Sequence, residues 1–410
     1  MFDSSKLDAY LTGLCQARDL PGVSAAIMGP DGLEYAFNYG FRDGAFTRPV
    51  DNDTLFGVAS MSKSMTALCA CILACEGRLD LNAPVSDFFP EFELAGQPRE
   101  AATVRTLAMH TAGIPPMEPL EWSIAMNSEG RSESDWLREM KRTAPNKMET
   151  IDQIIAYIAH CGYNTLGAPG EVMSYSNEGY AILSYIVDQA AGVPLEQFMQ
   201  ARIFDPLGMT RTILDNGVEA ARALSGGNIT SLFEVEDGRR TCDDCWSVLP
   251  PFRGCAMVKS TSRDMAAYYR MIANMGMHEG KQAIPAHAVD LLVGRYHPLS
   301  HLMTMCMGLN KREFAGHVVC EHAGGLHGVS SKGALLLGEG YGFAVLCNQG
   351  DEDMDALLYG TKGEKLELHY DQPRGKGVLY QPFEGIVNNL ERRYQETQSE
   401  SVRAELEECM

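Results

Sequence analysis

The sequence predicts an α+β fold: an antiparallel sheet is formed from both chain ends with flanking helices, and a helical lobe is inserted in the middle. Near the start, residues 22–28 and 33–37 are strand-like and flank the turn signal Pro30-Asp31-Gly32. Near the other end, residues 333–346 have the composition of a second β-hairpin. Between the hairpins helical patterning dominates. This order of elements favours one sheet to which both chain ends contribute strands.

Helical patterning is spread along the chain. An amphipathic N-terminal helix is predicted over 3–18, where apolar residues recur at helical spacing. Further helices are predicted at 61–75, 151–161, 178–191, 195–203 and 263–276.

These patterns divide the chain into two lobes. We expect residues 1–60 and 255–360 to form the sheet lobe and residues 61–254 the helical lobe. A proline-marked, lid-like excursion is expected at 115–150, and a C-terminal extension at 361–410. The crevice between the lobes is the expected site, because ligands bind preferentially where two lobes meet. We expect the excursion and the loop around Trp246, Phe252 and Arg253 to shape this pocket.

Composition narrows the possible partners. The 410 residues are 45% hydrophobic, which is enough for a substantial core. The net charge of −20 repels phosphate backbones and anionic lipid, so neither nucleic acid nor membrane is an expected partner. The first residues lack the pattern of a signal peptide, and no apolar run has the length of a membrane span. We therefore expect a cytoplasmic protein that acts on a small molecule or a short peptide.

The 12 cysteines are expected to be reduced thiols, as is usual in a cytosol. Cys242 and Cys245, with Cys255 ten residues on, have half of a zinc-ligand spacing. No second C-x-x-C or pair of histidines lies nearby, so loop thiols are favoured over a structural metal. We predict no metal and no cofactor.

The first candidate for chemistry is the pair Ser60 and Lys63, which opens the helix predicted at 61–75. Residues three apart share a helix face. Lys63 is the only charged residue between Asp53 and Glu76, so this helix is expected to be buried nearly all round. Burial and a helix N-terminus both lower the pKa of a lysine, which then accepts a serine proton. The alternative is that Ser60 only caps the helix and Lys63 reaches solvent.

A second candidate pair, Tyr175 and Asn177, precedes the helix predicted at 178–191. In an extended stretch, residues two apart project to the same side. A phenol can relay a proton and an amide can orient a substrate carbonyl. The alternative is that Asn177 only caps the helix and Tyr175 only packs.

A third element runs through His322, Ala323, Gly324 and Gly325, immediately before the last hairpin. Glycines in an edge strand let a substrate approach the backbone and expose N–H groups, as an oxyanion hole requires. The alternative is that His322 is an ordinary surface histidine.

In this order, the three elements resemble the signature of serine β-lactamases and penicillin-binding proteins. The Tyr-x-Asn form is typical of class C β-lactamases, D-alanyl-D-alanine carboxypeptidases, D-aminopeptidases and related esterases and transacylases. The segments 21–24, 107–115 and 203–210 are similar to that family as well. The resemblance extends from about residue 20 to residue 350.

The resemblance implies a β-lactamase/transpeptidase-like fold and a role for each element. It implies that Ser60 is acylated, that Lys63 and Tyr175 handle its proton, and that Asn177 holds the acyl-side amide or carbonyl. His322 stands where β-lactamases usually have lysine, and Ala323 and Gly324 complete that element. The implied oxyanion donors are the backbone N–H groups of Ser60 and Gly325.

Histidine at position 322 is a departure with consequences for the substrate. Histidine is only partly charged near neutral pH, so it offers less fixed charge to a β-lactam carboxylate than lysine does. We therefore expect a serine hydrolase that acts through an acyl-enzyme on a small ester, amide or D-residue peptide. Two alternatives stay open: a transacylase with the same acyl-enzyme, and a ligand-binding sensor of the same fold.

Overall fold

A computed structural model of the chain describes residues 4–131, 133–236, 238–294, 297–298, 303–314 and 317–358. The extension predicted at 361–410 lies outside these residues. The described strands are β1 Gly22–Gly29, β2 Gly32–Gly40, β3 Phe56–Gly57, β4 Ile213–Leu214, β5 Leu232–Glu236, β6 Arg239–Asp243, β7 Val258–Ser260, β8 Met277–His278, β9 Lys281–Gln282, β10 His297–Pro298, β11 Met303–Met305, β12 Asn310–Phe314, β13 His317–Leu326, β14 Val329–Leu336 and β15 Tyr341–Cys347.

Helices lie along the whole described part of the chain. They are α1 Ser4–Ala17, α2 Ser62–Cys75, α3 Val85–Phe88, α4 Val104–Ala108, α5 Pro119–Met126, α6 Asp135–Thr143, α7 Ile151–His160, α8 Asn177–Ala191, α9 Leu195–Met199, α10 Glu219–Ser225, α11 Arg253–Ala256, α12 Ser262–Ala273, α13 Ala286–Val293 and α14 Asp355–Leu358. Within the described ranges, no helix is both long enough and apolar enough to cross a membrane.

The main sheet joins the two ends of the chain. Its strand order is β10-β11-β12-β13-β14-β15-β1-β2, and all of its pairs are antiparallel. The junction lies between β1 and β15, where Val23 is opposite Cys347. The prediction of an α+β fold with an antiparallel sheet from both chain ends is therefore confirmed.

Apolar residues cover both faces of this sheet. On one face, α1 packs through Leu7 and Leu11 against a cluster that includes Phe343 and Val345. On the other face, α12 and α2 belong to a larger core that continues into the helical region. Every residue of β14 is buried, which explains why its sequence lacks the alternation of a strand with one wet face.

Two predicted helices differ from expectation in their C-terminal parts. The segment predicted as one helix over 195–203 is α9 followed by a π-helical turn, Gln200–Phe204, and a 3₁₀ turn, Asp205–Leu207. Pro206 lacks a backbone N–H and disfavours helical geometry before it, so a regular helix does not continue. The helix predicted over 263–276 ends at Ala273, because Met275 and Gly276 adopt positive φ.

Candidate active site

Ser60 lies at the point where the small strand β3 turns into helix α2. A 3₁₀ turn, Ala59–Met61, links the two, and Ala59 in it has a φ of 44°. Positive φ is uncommon for a residue with a side chain and often marks functional sites. The turn therefore holds Ser60 in a sharply defined position at the start of the helix.

Hydrogen bonds with the main sheet and with β7, a strand of the small sheet β3-β7-β4, hold this turn in place. Val58 O accepts a hydrogen bond from Ser331 Oγ at 2.8 Å, and Val58 N donates to Val258 O at 3.1 Å. Gly324 packs so closely that a Cβ there would lie 2.3 Å from Val58 O. The glycine in the third element is therefore required to seat the turn that carries Ser60.

Lys63 is fully buried, and three oxygen atoms surround its side-chain nitrogen. Nζ lies 3.1 Å from Ser60 Oγ, 2.9 Å from Asn177 Oδ1 and 3.3 Å from Cys255 O. Three acceptors match the three protons of an ammonium; a neutral amine would give two protons to Asn177 and Cys255 and receive one from Ser60. The alternative that Lys63 reaches solvent is wrong. The alternative that Ser60 caps α2 is wrong too, because the helix has no side-chain cap.

The segment that contains Tyr175 and Asn177 contacts Lys63. Lys63 Nζ lies 4.9 Å from the ring centroid of Tyr175, whose side chain stays partly exposed. The cap of helix α8 is Ser176, whose Oγ accepts from Gly179 N, so the capping alternative for Asn177 is wrong. Asn177 is the first helical residue instead, and its Oδ1 holds Lys63.

Strand β13 supplies an open edge. Its pairing with β12 stops at Glu321, which lies opposite Asn310. In the part of the chain that the structure describes, residues 322–326 pair with β14 alone. Ala323 and Gly325 are exposed along this edge. Gly324 is buried against the turn that carries Ser60, hereafter the serine turn. An edge of this kind leaves backbone N–H and C=O groups for a substrate.

His322 is a buried, neutral imidazole. Its Nδ1 lies 2.5 Å from Ala323 O, and because a carbonyl only accepts, Nδ1 carries the proton. Burial, followed by the charge of Lys63, lowers the pKa of His322 to about 4. The expectations of a surface histidine and of partial charge near neutral pH are therefore both corrected. The Tyr175 ring lies beside it, with the two ring centroids 6.1 Å apart.

Glu178, next to Asn177, is a buried carboxyl that the sequence analysis did not single out. Burial raises its pKa to about 7, with a further increase from Glu121, while Lys63 lowers it. Its Oε2 accepts a hydrogen bond from Ser176 Oγ at 3.2 Å. A glutamate at the start of a helix is usually explained by its favourable interaction with the helix dipole. Nothing in the sequence around Glu178 therefore indicated that this side chain is buried.

These elements border a cleft of about 590 Å³. Asp351, Glu352 and Asp353 were missed as contributors, since they follow the last strand and belong to none of the three elements. The residues that line the cleft are Ser60, Met173, Tyr175, Met305, Asn310, His322, Ala323, Gly324, Gly325, Ser330, Asp351, Glu352 and Asp353. None of these lining residues is a lysine or an arginine.

The segments that were expected to shape the pocket lie elsewhere. Of the described residues in 115–150, none lines this cleft. Phe252 is fully buried in the core, and Arg253 is a buried ion-pair partner of Asp188 and Glu196. Trp246 lines a separate, very small cavity.

The cysteine group does not form a metal site in the described part of the chain. No group of three or more His, Cys, Asp or Glu side chains there is arranged to hold an ion. Cys242 is exposed on β6, whereas Cys255 is buried in α11 and its Sγ donates to Asn177 O.

Two family models match the sequence. The model described as "Beta-lactamase" matches residues 7–362. The model described as "UvrA DNA-binding domain" matches residues 346–408, which overlap the end of the first match and continue beyond the described residues.

Curated relatives align with part of the chain. A β-lactamase of Pseudomonas fluorescens is 26% identical over 208 residues, which are 51% of this chain and 50% of the relative. Penicillin-binding protein 4* of Bacillus subtilis is 29% identical over 210 residues, 51% of this chain and 41% of the relative. Esterase EstB of Burkholderia gladioli is 29% identical over 208 residues, 50% of each protein. The chain thus spans about half the length of the curated relatives it matches.

Solved structures share the fold over most of the chain. The octameric penicillin-binding protein homologue from Pyrococcus abyssi superposes with a TM-score of 0.71 at 23% identity, covering 84% of this chain and 73% of that one. A D-stereospecific amidohydrolase from Streptomyces sp. has a TM-score of 0.67 at 22% identity, covering 88% and 99%. This shared fold agrees with the family match. The matched residues 7–362 include the strands that both chain ends contribute to the main sheet, and all three motifs. The chain belongs to the β-lactamase family.

Proposed function

We propose that this protein is a serine hydrolase that forms a covalent acyl-enzyme at Ser60 and cleaves a small ester, amide or D-residue peptide. The observation that carries the proposal is the 3.1 Å contact between Lys63 Nζ and Ser60 Oγ, at a nitrogen whose other two neighbours are acceptors. The similarity to an esterase and to a D-stereospecific amidohydrolase supports the same reaction type.

In the proposed acylation, Ser60 Oγ attacks the substrate carbonyl carbon and its proton passes to neutral Lys63. The backbone N–H groups of Ser60 and Gly325 stabilise the oxyanion, a contribution of about 3 kcal/mol per donor in other hydrolases. The bond to the leaving group then breaks, and the leaving oxygen or nitrogen receives a proton by way of Tyr175. Water, deprotonated by the same groups, releases the acid and regenerates Ser60.

Asn177 serves two purposes in this proposal. Its Oδ1 holds Lys63 at 2.9 Å, which fixes the direction of the amine toward Ser60. Its amide NH₂ group remains for the acyl-side carbonyl of the substrate. His322, Ala323 and Gly324 form the strand wall along which the acyl group lies.

The charges around the cleft support a substrate without a carboxylate. The imidazole of His322 is neutral, and Asp351, Glu352 and Asp353 line the same cleft. A β-lactam carboxylate in this cleft would find no lysine or arginine among the lining residues to pair with it. Uncharged or D-configured acyl groups are therefore the proposed substrates.

A substrate panel tests the proposal. Wild type is assayed with p-nitrophenyl esters, D-residue p-nitroanilides and a chromogenic cephalosporin. We expect the best ester or anilide to exceed the cephalosporin in kcat/KM by about tenfold or more, the value of one lost charge-assisted hydrogen bond. Ser60→Ala should lose all turnover, whereas Ser64→Ala, four residues further along the chain in α2, should keep it. Turnover in Ser60→Ala, or a preference for the cephalosporin, would contradict the proposal.

Replacements of His322 refine the same test. His322→Lys should raise cephalosporin turnover relative to a neutral ester, because lysine adds a fixed positive charge to the cleft. His322→Gln should lower both activities, since the strand loses an ordered neighbour while the backbone donors remain. A Lys variant without any relative gain would show that position 322 does not set the charge of the substrate.

We further propose a cytoplasmic location. Several thiols, among them Cys69, Cys71 and Cys347, lie fully buried in apolar surroundings, as reduced cysteines commonly do. Intact mass after denaturation and alkylation of protein from its source cells should show every cysteine alkylated. A disulfide-bonded population would argue against this location.

A further inference from the structure

His110 lies directly behind Tyr175. The two rings stack, with centroids 4.2 Å apart and planes 27° from parallel. On its other side, His110 contacts the ring of Tyr180 at a centroid distance of 4.8 Å. Only 2% of His110 is exposed, so its ring forms a wall of the site rather than a part of the open cleft.

Hydrogen bonds from His110 also hold the backbone on both sides of Tyr175. Its Nδ1 accepts from Ser176 N at 3.0 Å, and its carbonyl oxygen accepts from Ser174 N at 2.7 Å. The residue can do both because its φ of 56° turns the carbonyl and the ring toward the same segment. Left-handed geometry is uncommon for a residue other than glycine and is retained where the surroundings impose it.

The acceptor role of Nδ1 requires a neutral ring with its proton on Nε2. Burial, together with the nearby charge of Lys63, holds the pKa of His110 well below its usual range. His110 thus remains an acceptor for Ser176 N throughout the neutral range and donates no proton to the reaction.

From the ring stack and the two backbone hydrogen bonds we infer that His110 is a positioning residue, which sets the orientation of the Tyr175 phenol relative to Lys63 and Ser60. This inference rests on the proposed role of Tyr175 in proton transfer. Tyr175 needs such support because it lies on a loop ahead of helix α8 and is itself 38% exposed. Its neighbours in sequence, Ser174 and Ser176, are both tied to His110.

The test measures the rate of Ser60 labelling by a fluorophosphonate probe, which requires loss of the serine proton. His110→Phe keeps a ring for the stack but removes the acceptor, and we expect labelling to slow by about tenfold to a hundredfold, as for other small displacements of reacting groups. His110→Asn places Oδ1 near the former Nδ1, so it should restore part of the rate. Thr261→Ala is the matched control: it also removes a side-chain acceptor from a backbone N–H, the partly buried one of Asp264, but at helix α12, and should label at the wild-type rate.

A double-mutant cycle with Tyr175→Phe separates positioning from general stability. If His110 acts through the phenol, His110→Phe should add little further loss once the hydroxyl of Tyr175 is gone. An undiminished loss in that background, or wild-type labelling by His110→Phe, would overturn the inference. If the Phe variant fails to fold, His110→Asn takes its place. A folded Asn variant should label more slowly than Thr261→Ala, and equal labelling rates for the two folded variants would overturn the inference. Labelling that persists in Ser60→Ala would instead refute the proposed function itself.

Discussion

The two walls of the cleft differ in how much water they admit. The helix wall consists of Ser60, which lines the cleft, with Lys63 and Asn177 packed behind it, and it places a fully buried amine among three acceptors. The edge wall, formed by residues 322–325 and 351–353, presents exposed positions of β13 and a run of carboxylates. A proton transfer from Ser60 to Lys63 needs the first environment, because there Nζ lies within hydrogen-bond reach of Ser60 Oγ. Selection among substrates depends on the edge wall, because a substrate contacts only exposed groups.

The largest effect is expected on the helix wall, at Lys63. Lys63→Arg keeps the positive charge but removes the group that can lose a proton, so the proposed base is absent. We expect turnover of the best ester to fall by about a thousandfold, a typical contribution of a general base. The conservative exchange Lys141→Arg, on the exposed helix α6, should leave turnover unchanged. Substantial turnover in a folded Lys63→Arg variant would place the base elsewhere and break the contrast between the walls.

A second prediction concerns how two buried groups make the stability of the fold depend on pH: His322 of the edge wall, and Glu178, which follows Asn177 of the helix wall in sequence. His322 has a pKa of about 4 and therefore contributes stability that is present above about pH 6.5 and lost as the pH falls toward 4. Glu178 has a pKa of about 7, so its contribution is present below about pH 4.5 and lost as the pH rises through 7. Each change amounts to about 3 kcal/mol.

Chemical unfolding of wild type, His322→Gln and Glu178→Gln at several pH values checks this prediction. Relative to His322→Gln, wild type should lose stability on acidification, and relative to Glu178→Gln it should lose stability on alkalinisation. His287→Gln is the control for a histidine whose side chain is 70% exposed, and its stability should follow that of wild type. If wild type lost stability in the same direction of pH relative to both variants, the opposite pKa shifts of His322 and Glu178 would be contradicted.

A smaller effect, on the free energy of unfolding, is expected to distinguish two neighbouring glycines of the edge wall. Gly324→Ala would bring a methyl group within 2.3 Å of Val58 O and 2.4 Å of Ser331 Oγ, whereas Gly325→Ala would meet nothing within 4 Å. We expect Gly324→Ala to lower the free energy of unfolding by about 2 kcal/mol and to reduce labelling of Ser60. Gly325→Ala should melt like wild type. Equal melting temperatures for the two variants would show that β13 does not seat the serine turn.

The sequence predicted the helix wall better than the edge wall, and the reason is physical. Ser60, in the 3₁₀ turn that leads into α2, is three residues from Lys63 in the first turn of that helix, and the apolar composition of α2 already predicts a buried amine. The carboxylates of Asp351, Glu352 and Asp353 reach the cleft only because β15 pairs beside β14, which brings the end of one strand near a distant motif. Likewise, the position of His110 behind Tyr175 depends on contacts between segments far apart in the chain.

The fold shows the same division between local and distant information. Both hairpins and helices α1, α2, α7 and α8 follow from patterns within a few residues, and the structure has them close to the expected bounds. The open edge at 322–326 depends on where β12 stops pairing, which no local pattern records. The identity of the cap of α8 was similarly ambiguous, since serine and asparagine are both good caps and stand side by side.

Intact-mass spectrometry after exposure to a fluorophosphonate, followed by peptide mapping, tests the proposed acyl-enzyme most directly. Wild type should gain the mass of one probe adduct, and the adduct should map to Ser60. Ser60→Ala should gain none while it melts near the wild-type temperature, since Ser60 does not cap the helix and a single small substitution typically costs about 1 kcal/mol. An adduct on another serine, or an undiminished adduct in Ser60→Ala, would contradict the assignment of Ser60 as the nucleophile.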